Sequence, residues 1–292
     1  MARIVKLMAT SKNVIPAKAG IQKRVIILDS RRSLPRTWIR GGSDKFEIIR
    51  GPLILCTLVG LLALVFSENA LCLDIIDVGK FSAATVGDTL PPGWKPLTFK
   101  KIEKHTTYTL VKDDNVVVVK AVAEASASGL VREIKINPKE YPVVQWRWKI
   151  TNILKKGDVY RKEGDDYPAR IYITFEYDPS KGGLFERAKY GMIRLLYGEF
   201  PPLDAINYIW ESKAPVGTMV PNPYTDRVMM FVVESGSAKL NQWVNEERNV
   251  YEDYKKAFGE EPPMISGVAL MTDTDNTGES ATAYYGDILF KK

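Results

Sequence analysis

The densest group of oxygen donors in the sequence is Asp273-Thr274-Asp275-Asn276-Thr277-Gly278. It matches the first half of an EF-hand loop, but position 12 is Tyr284 where an EF-hand needs a bidentate Glu, so an EF-hand is excluded. Three interpretations stay open. The segment is a hairpin loop whose Asp and Asn side chains cap backbone N–H groups. Alternatively, Asp273, Asp275 and Asn276 contact a ligand, or Asp273 and Asp275 hold a structural Ca²⁺, which prefers oxygen ligands.

A second polar group surrounds the start of a strand predicted over residues 169–177. Asp166 comes just before this strand, and the alternation of side chains places Arg170, Tyr172 and Glu176 on one face. Such a stripe is either ordinary solvent-exposed surface or the concave binding face of a sheet. Two acids about 5–10 Å apart on such a face could hydrolyse a glycoside. The candidate acids are Asp166, Glu176, Glu211 and Glu234, with Asp166 and Glu176 as the leading pair.

Aromatic side chains are the third group that could contact a ligand. All 14 Tyr and five of the six Trp lie after residue 73, and aromatic faces can stack on sugar rings. Trp146 and Trp148 share a face with aliphatic residues, which predicts core positions. Trp94, Trp210 and Trp243 lie near loop-forming residues and are candidates for lining a groove, Trp210 foremost.

Scarce cysteine and histidine exclude several chemistries. The two cysteines, Cys56 and Cys72, lie in or beside an N-terminal apolar segment, and the single histidine is His105. Thiol catalysis, Cys/His zinc sites and His-rich iron or copper sites are therefore excluded. We interpret His105 as an ordinary strand or loop residue. Any catalysis must depend on carboxylates, Tyr, Lys, Arg or a hard metal held by oxygen ligands.

The formal charge of +6 is unevenly distributed along the chain. Residues 1–72 hold 12 Lys or Arg and 4 Asp or Glu. Residues 73–292 therefore hold 29 of the 41 basic and 31 of the 35 acidic side chains, a net charge of −2. No stripe of Lys and Arg follows residue 73, so a nucleic-acid partner is not expected.

The N-terminal region is typical of an export signal. Residues 53–66 form an apolar run of 14 residues that follows Lys45 and Arg50 and precedes small residues, so we interpret residues 45–72 as a signal peptide. We expect a periplasmic or secreted protein without a stable membrane span, or an N-terminal anchor if the signal stays uncleaved. Residues 14–22 resemble peptides translated from bacterial intergenic repeats, and we interpret residues 1–44 as a spurious or unstructured extension. Residues 73–292 are then one domain.

The pattern after residue 73 is dominated by strands. Two helices are predicted over residues 184–197 and 249–258, each with a helical apolar stripe and a following glycine. Regular strand–helix alternation is missing, which disfavours a parallel βαβ fold. We predict an all-β fold, a two-sheet sandwich of jelly-roll or galactose-binding-like type with two short helices. The predicted strands cover residues 116–122, 130–136, 143–150, 169–177, 206–211, 227–234, 265–272 and 281–290.

Several segments carry a resemblance to one family: residues 146–149 (WRWK), 164–172 (GDDYPARIY), 207–210 (NYIW), 248–250 (RNV), 253–254 (DY), 257–259 (AFG) and 271–278 (MTDTDNTG), together with Trp243. Over residues 74–292 the chain resembles the exported bacterial family known as domain of unknown function 3047. The resemblance implies an extracytoplasmic β-sandwich similar to galactose-binding-like jelly rolls. It implies no activity, substrate or catalytic residue.

Three functional hypotheses follow from these residues. The leading one is a non-catalytic module that binds a saccharide or other polar ligand on a sheet face. The first alternative is a carboxylate-dependent polysaccharide hydrolase or lyase, and the second is a cell-envelope scaffold with a protein partner. The oligomeric state stays open. The predicted ligand-binding residues are Arg170, Tyr172, Glu176, Trp210, Asp273, Asp275 and Asn276.

Overall fold

Thirteen strands account for most of the chain that the computed structural model describes, residues 74–88, 90–176 and 204–292. The strands in chain order are β1 (Ile75–Gly79), β2 (Lys95–Leu97), β3 (Thr107–Asp113), β4 (Val116–Glu124), β5 (Ala127–Ile136), β6 (Val143–Ile150), β7 (Ala169–Phe175), β8 (Ala205–Glu211), β9 (Met219–Asn222), β10 (Thr225–Ser235), β11 (Val244–Asn249), β12 (Ile265–Asp273) and β13 (Ser280–Lys291). One α-helix, α1 (Val250–Phe258), and two 3₁₀ turns, Phe81–Ala83 and Lys162–Gly164, complete the described elements.

The strands form two sheets that pack face to face. The first sheet has six strands in the order β11-β6-β13-β4-β3, with β1 also paired to β13. The second has seven strands in the order β2-β5-β12-β7-β8-β10-β9. All pairs are antiparallel except β8 with β10. The predicted all-β sandwich is confirmed, although the sequence pattern did not indicate β1, β2, β3, β9 and β11.

Alternating side chains on each strand build the core between the sheets. On β6, Trp146 and Trp148 face inward and are buried, as the sequence predicted. Trp146 stacks on Tyr208 of the other sheet with ring centroids 5.2 Å apart, and Trp148 lies 6.0 Å from Trp210. These aromatic contacts join the two sheets, and burial of such large rings stabilises the sandwich by several kcal/mol (roughly 1.5–3 per fully buried large side chain).

Trp210 does not line a groove, contrary to the sequence-based prediction, whereas Trp94 lies beside a small pocket with little of its surface open to it. Trp210 has 0 % exposure, and its indole Nε1 donates to the carbonyl oxygen of Gly236 at 3.1 Å. Trp94 is 4 % exposed and packs against Phe81. Trp243 is half-buried beneath the cationic groups of neighbouring side chains rather than open to solvent. The sequence could not show that β8 is buried on both of its faces.

Helix α1 confirms one of the two predicted helices. The side chain of Asn249 accepts a hydrogen bond from the backbone N–H of Glu252 at 3.0 Å, which caps the first turn. Gly259 ends the helix in the left-handed region at φ 74°, a conformation that glycine adopts without a Cβ clash. The other predicted helix, residues 184–197, lies outside the described residues. His105 is exposed in a loop, and no helix in the described residues is long and apolar enough to span a membrane.

Glu246 on β11 makes the stability of this core depend on pH. The indole Nε1 of Trp148 donates to Glu246 Oε1 at 3.2 Å. Burial, and then the charge of nearby Glu234, raises the pKa of Glu246 from 4.5 to about 7. Because the folded pKa exceeds the unfolded one, the stabilisation from protonated Glu246 is fully present below about pH 4.5 and is lost as the pH rises through about 7.

We therefore expect Glu246→Gln to raise the free energy of unfolding by about 1–2 kcal/mol at about pH 8, a value discounted for solvent screening, and to change it little at about pH 4. Urea denaturation at both pH values measures the effect. Glu247→Gln is the matched control, since Glu247 is exposed, pairs with Lys291 at 3.0 Å and has a lowered pKa. Equal gains for both variants at the higher pH would contradict the assignment.

Candidate acidic ligand site

Antiparallel pairing of β7 with β12 brings two polar segments together at one end of the larger sheet. Arg170, near the start of β7, lies opposite Met271, near the end of β12. The segment before β7 therefore meets the loop that follows β12. Asp166 links the two segments through two hydrogen bonds. Its Oδ2 accepts a hydrogen bond from the backbone N–H of Thr277 at 2.6 Å, and its Oδ1 accepts one from the backbone N–H of Asn276 at 3.3 Å.

Three carboxylates converge in this region. Single carboxylate oxygens of Asp166, Asp273 and Asp275 all lie within 4.8 Å of one another; we call these residues the acidic cluster. Asp166 and Asp273 are each 1 % exposed, whereas Asp275 is half-buried. The sequence indicated the pair Asp273 and Asp275, and the fold adds Asp166 to it. Two carboxylates of the cluster are therefore buried in the protein, and the third, that of Asp275, reaches the surface.

Arg170 lies directly behind the acidic cluster and is buried. Its Nη2 donates to Asp273 Oδ2, while its Nε and Nη1 are buried with no hydrogen-bond partner among the described residues. The guanidinium carbon lies 5.2 Å from the ring centroids of both Tyr167 and Tyr172. Asp165 is close by, accepting from the hydroxyl of Tyr167 at 3.0 Å. A buried guanidinium with two unpartnered nitrogens is uncommon, because buried polar groups are normally paired.

Among the buried and half-buried side chains of this site, carboxylates outnumber cations, while the exposed Lys156 donates from Nζ to the carbonyl oxygen of Thr277 at 2.9 Å. Four carboxylates, those of Asp165 and the acidic cluster, surround the single guanidinium of Arg170. Burial raises the pKa of Asp273 well above its ordinary value, and Arg170 opposes that shift. Burial, followed by the charge of Asp166, also raises the pKa of Asp275. A bound cation would balance these charges without removing the carboxylates from their positions.

Tyr224 lies at the rim of the site and was missed by the sequence interpretation. It follows β9 in the turn to β10 and is 56 % exposed. Its hydroxyl lies 3.1 Å from Asn276 Oδ1 and 3.3 Å from the carbonyl oxygen of Lys162, so the ring has a fixed orientation. Asn222, at the end of β9, donates from Nδ2 to Asp165 at 2.9 Å. An aromatic residue in an Asn-Pro-Tyr turn was the signal available in the sequence.

The leading catalytic pair from the sequence does not come together. Arg170 and Tyr172 share the outer face of the larger sheet, as predicted, and Tyr172 is half-buried. Glu176 follows the end of β7, six residues beyond Arg170, which is about 20 Å at 3.3 Å per residue. There it forms an ion pair with Lys135 at 2.6 Å. Asp166 and Glu176 therefore lie at opposite ends of β7, beyond the separation that glycoside hydrolysis requires.

The other two candidate acids serve local structure. Glu211 is buried and accepts hydrogen bonds from the backbone N–H groups of Lys213 and Ala214, which turns the chain after β8. Glu234 is buried and forms an ion pair with Lys239. Neither belongs to the acidic cluster.

The described residues thus define a class of protein: a two-sheet β-sandwich with a buried acidic cluster at one end of its larger sheet. The chain belongs to the family described as "Protein of unknown function (DUF3047)", whose sequence profile matches residues 92–289. No curated protein matches the chain.

Solved structures of similar fold include two proteins with known names. One is the carbohydrate recognition domain of Emp47p, with a TM-score of 0.38, 9 % identity and coverage of 74 % of this chain and 94 % of that one. The other is endoglucanase 3 of family GH12 from Trichoderma harzianum, with a TM-score of 0.35, 9 % identity and coverage of 75 % and 97 %. At these scores the likeness carries no argument about a ligand or a reaction.

Proposed function

We propose that this chain is a non-catalytic binding module that holds one Ca²⁺ ion in the acidic cluster and binds a saccharide or similar polar ligand beside it. The observation that carries the proposal is the convergence of Asp166, Asp273 and Asp275 within 4.8 Å. Export, indicated by the signal-like pattern of residues 45–72, would expose the site to extracellular calcium. Extracellular modules bind calcium with dissociation constants of about 10⁻⁴–10⁻³ M.

The chemistry of the donors favours calcium among the common metal ions. Asp166, Asp273 and Asp275 offer hard oxygen atoms, and the cluster contains neither His nor Cys, which argues against zinc and copper. Calcium accepts six to eight oxygen ligands in flexible geometry, whereas magnesium demands an octahedron. Arg170 supports the proposal independently, since one buried guanidinium leaves most of the negative charge unbalanced.

The surface around Asp275 supports a saccharide as the ligand class. Asp275 is the half-buried member of the cluster, so a metal ion there can keep ligand positions for hydroxyl groups from outside. The ring of Tyr224 is exposed, and Asn276 links its hydroxyl to the loop that carries Asp275. The metal ion would bind hydroxyl groups on the edge of a sugar, and the ring of Tyr224 would stack on its apolar face.

Calcium binding is tested by isothermal titration calorimetry of the full-length chain with calcium chloride. We expect one ion per chain, with affinity at least tenfold lower in Asp275→Asn because one charged ligand is lost. Asp226→Asn is the matched control: Asp226 is exposed on neighbouring β10 and lies outside the acidic cluster, so the same change of charge should leave calcium affinity unchanged. No binding to the unaltered chain at millimolar calcium would refute the metal site.

Saccharide binding is tested separately on a glycan array with calcium or with a chelator. We expect binding that needs calcium, is lost in Tyr224→Ala and persists in Tyr160→Ala, which removes a tyrosine that is 63 % exposed. Calcium binding without any saccharide binding would refute a saccharide as the ligand and would still support the calcium site.

A glycosidase that acts through Asp166 and Asp275 is the second candidate function. The proximity of their oxygen atoms is compatible with the roughly 5 Å between the carboxyl groups of retaining enzymes. It ranks second because both oxygens of Asp166 already accept backbone N–H groups that shape the loop. Release of reducing sugar from a polysaccharide panel, abolished in Asp275→Asn and Asp166→Asn, would favour the enzyme over the binding module.

A further inference from the structure

A row of alternating cations and aromatic rings crosses the outer surface of the first sheet. Tyr284 on β13 lies directly opposite Lys149 of β6 on one side and Lys120 of β4 on the other. The ammonium of Lys149 is 4.6 Å from the centroid of the Tyr284 ring, and that of Lys120 is 6.0 Å from it. Trp243, just before β11, extends the row, with its ring centroid 5.2 Å from the ammonium of Lys149. The row faces away from the core, because the neighbouring residues of the same strands form the core.

Arg147 lies two residues before Lys149, on the same face of β6. Its guanidinium carbon is 4.6 Å from the centroid of the Trp243 ring. The side chain is half-buried, no described residue accepts a hydrogen bond from it, and its nitrogens are not sealed from solvent. An arginine has five N–H donors, so these are available to an anion from outside. We call this surface the cationic face; it consists of Lys120, Arg147, Lys149, Trp243 and Tyr284.

Gly286 on β13 allows Arg147 to take this position. A Cβ at residue 286 would lie 2.5 Å from both Cγ and Nε of Arg147. The φ of Gly286 is not positive, so the close approach of Arg147, and not the backbone conformation, accounts for glycine here. The stem of Arg147 therefore lies against the backbone of β13, which restricts where its guanidinium can be.

Two cations of the cationic face have no carboxylate partner. Asp113 pairs with Lys149, and Glu247, on the same face of β11, pairs with a lysine of β13 at 3.0 Å. Within the described ranges no carboxylate pairs with Lys120 or Arg147. The cationic face therefore retains positive charge that an anionic partner could balance.

The surroundings of these cations indicate which anionic partner fits. Cations lie over the rings of Trp243 and Tyr284, so these rings are not open to stack with the bases of single-stranded nucleic acid. Among the described residues, the exposed large apolar side chain on this sheet is Ile75, opposite Lys291 and seven residues along β13 from Tyr284. The cationic face therefore has no apolar side chain to insert into a membrane. A hydrophilic chain that carries carboxylates needs neither contact.

We propose that the cationic face binds an acidic polysaccharide through its uronate carboxylates. Arg147 pairs with one carboxylate, since its planar guanidinium matches carboxylate geometry. Lys120 pairs with another; it lies two strands from β6, which is about 9.6 Å, so the polysaccharide crosses the strands of the sheet. The proposal does not rest on the calcium site, because the acidic cluster belongs to the other sheet.

The test is isothermal titration calorimetry of the full-length chain with an oligogalacturonate, at low salt and with a chelator present so that calcium contributes nothing. The methyl ester of the same oligosaccharide is the matched ligand, because it keeps the sugar and lacks the charge. We expect the free acid to bind at least tenfold more tightly than the ester, because the ester cannot form charge-assisted hydrogen bonds. Arg147→Gln should remove most of that preference. Lys95→Gln, which removes an exposed cation from the other sheet, should leave both affinities unchanged.

Gly286→Ala keeps the experiment decisive if Arg147→Gln fails to fold. It keeps every charge and displaces the side chain of Arg147, so it should weaken binding of the free acid while the thermal unfolding transition persists. The proposal is overturned if the free acid does not bind at millimolar concentration, if the ester binds equally well, or if both variants bind like the unaltered chain. Equal binding of a single-stranded oligonucleotide would overturn the polysaccharide as the partner.

Discussion

Replacing Arg170 by Met should lower the free energy of unfolding by about 3–5 kcal/mol, because it leaves buried carboxylates without their internal countercharge. Arg170 is 4 % exposed and pairs with Asp273, which is 1 % exposed. The remaining carboxylates of the acidic cluster stay close to the vacated position and repel one another. Urea denaturation in a calcium-free buffer measures the loss.

The double variant Arg170→Met with Asp273→Leu should recover at least half of that loss, since an apolar pair of similar volume replaces the ion pair. Lys95→Met provides the control. The Lys95–Glu133 pair is exposed, so its removal should change stability by less than about 0.5 kcal/mol. If the losses of the two single variants simply add in the double variant, Arg170 and Asp273 are not energetically coupled and the assignment fails.

Trp210→Ala should lower the free energy of unfolding by about 3–5 kcal/mol, the usual effect of truncating a fully buried tryptophan. The ring lies between the sheets against Trp148, and its N–H is bound by Gly236. Trp210→Phe should retain more than half of this contribution, because it keeps much of the ring volume and loses the hydrogen bond.

Tyr224→Ala provides the opposite case and should change stability by less than about 0.5 kcal/mol, because the ring is exposed. Thermal and urea unfolding of the two variants in parallel distinguishes a core residue from a rim residue. A stable Trp210→Ala protein that has lost only saccharide binding would show that Trp210 belongs to the ligand site after all.

The sandwich could be predicted because its strands carry their signal locally. On β6 the residues Val144, Trp146, Trp148 and Ile150 alternate with polar ones, and the structure buries all four. Short edge strands such as β2 and β9 carry too few residues for such a pattern. Their positions depend on pairing with distant strands, which no local spacing reveals.

The candidate site was predictable only where its members are near neighbours in the chain. Asp273 and Asp275 are two residues apart, and their association was visible in the sequence. Asp166 joins them because β7 pairs with β12, a register that the sequence does not display. Glu176 and Arg170 lie on the same face of the sheet but at opposite ends of β7. Side-chain alternation predicts the face on which a residue lies, but it does not predict which other residues will be close to it along the strand.

The prediction that Trp210 lines a groove failed for a different reason. The proximity of this residue to Pro- or Asn-rich loops indicated a position lining a groove, yet every residue of β8 is buried. In a strand that is covered on both faces, polar neighbours in the sequence do not indicate exposure to solvent. The surroundings of each side chain then depend on contacts with distant parts of the chain.

The hydrogen bonds from Thr277 and Asn276 to Asp166 join residues that are 111 and 110 positions apart. Contacts of such long sequence separation form slowly, because the intervening chain must first be ordered. We expect the acidic cluster to form with or after the pairing of β7 and β12, because that pairing brings its two segments together. An ion bound there would mainly slow unfolding rather than speed folding, since interactions that form after the transition state act on the unfolding rate. In a calcium-rich environment the same carboxylates that destabilise the isolated chain would prolong the lifetime of the folded one.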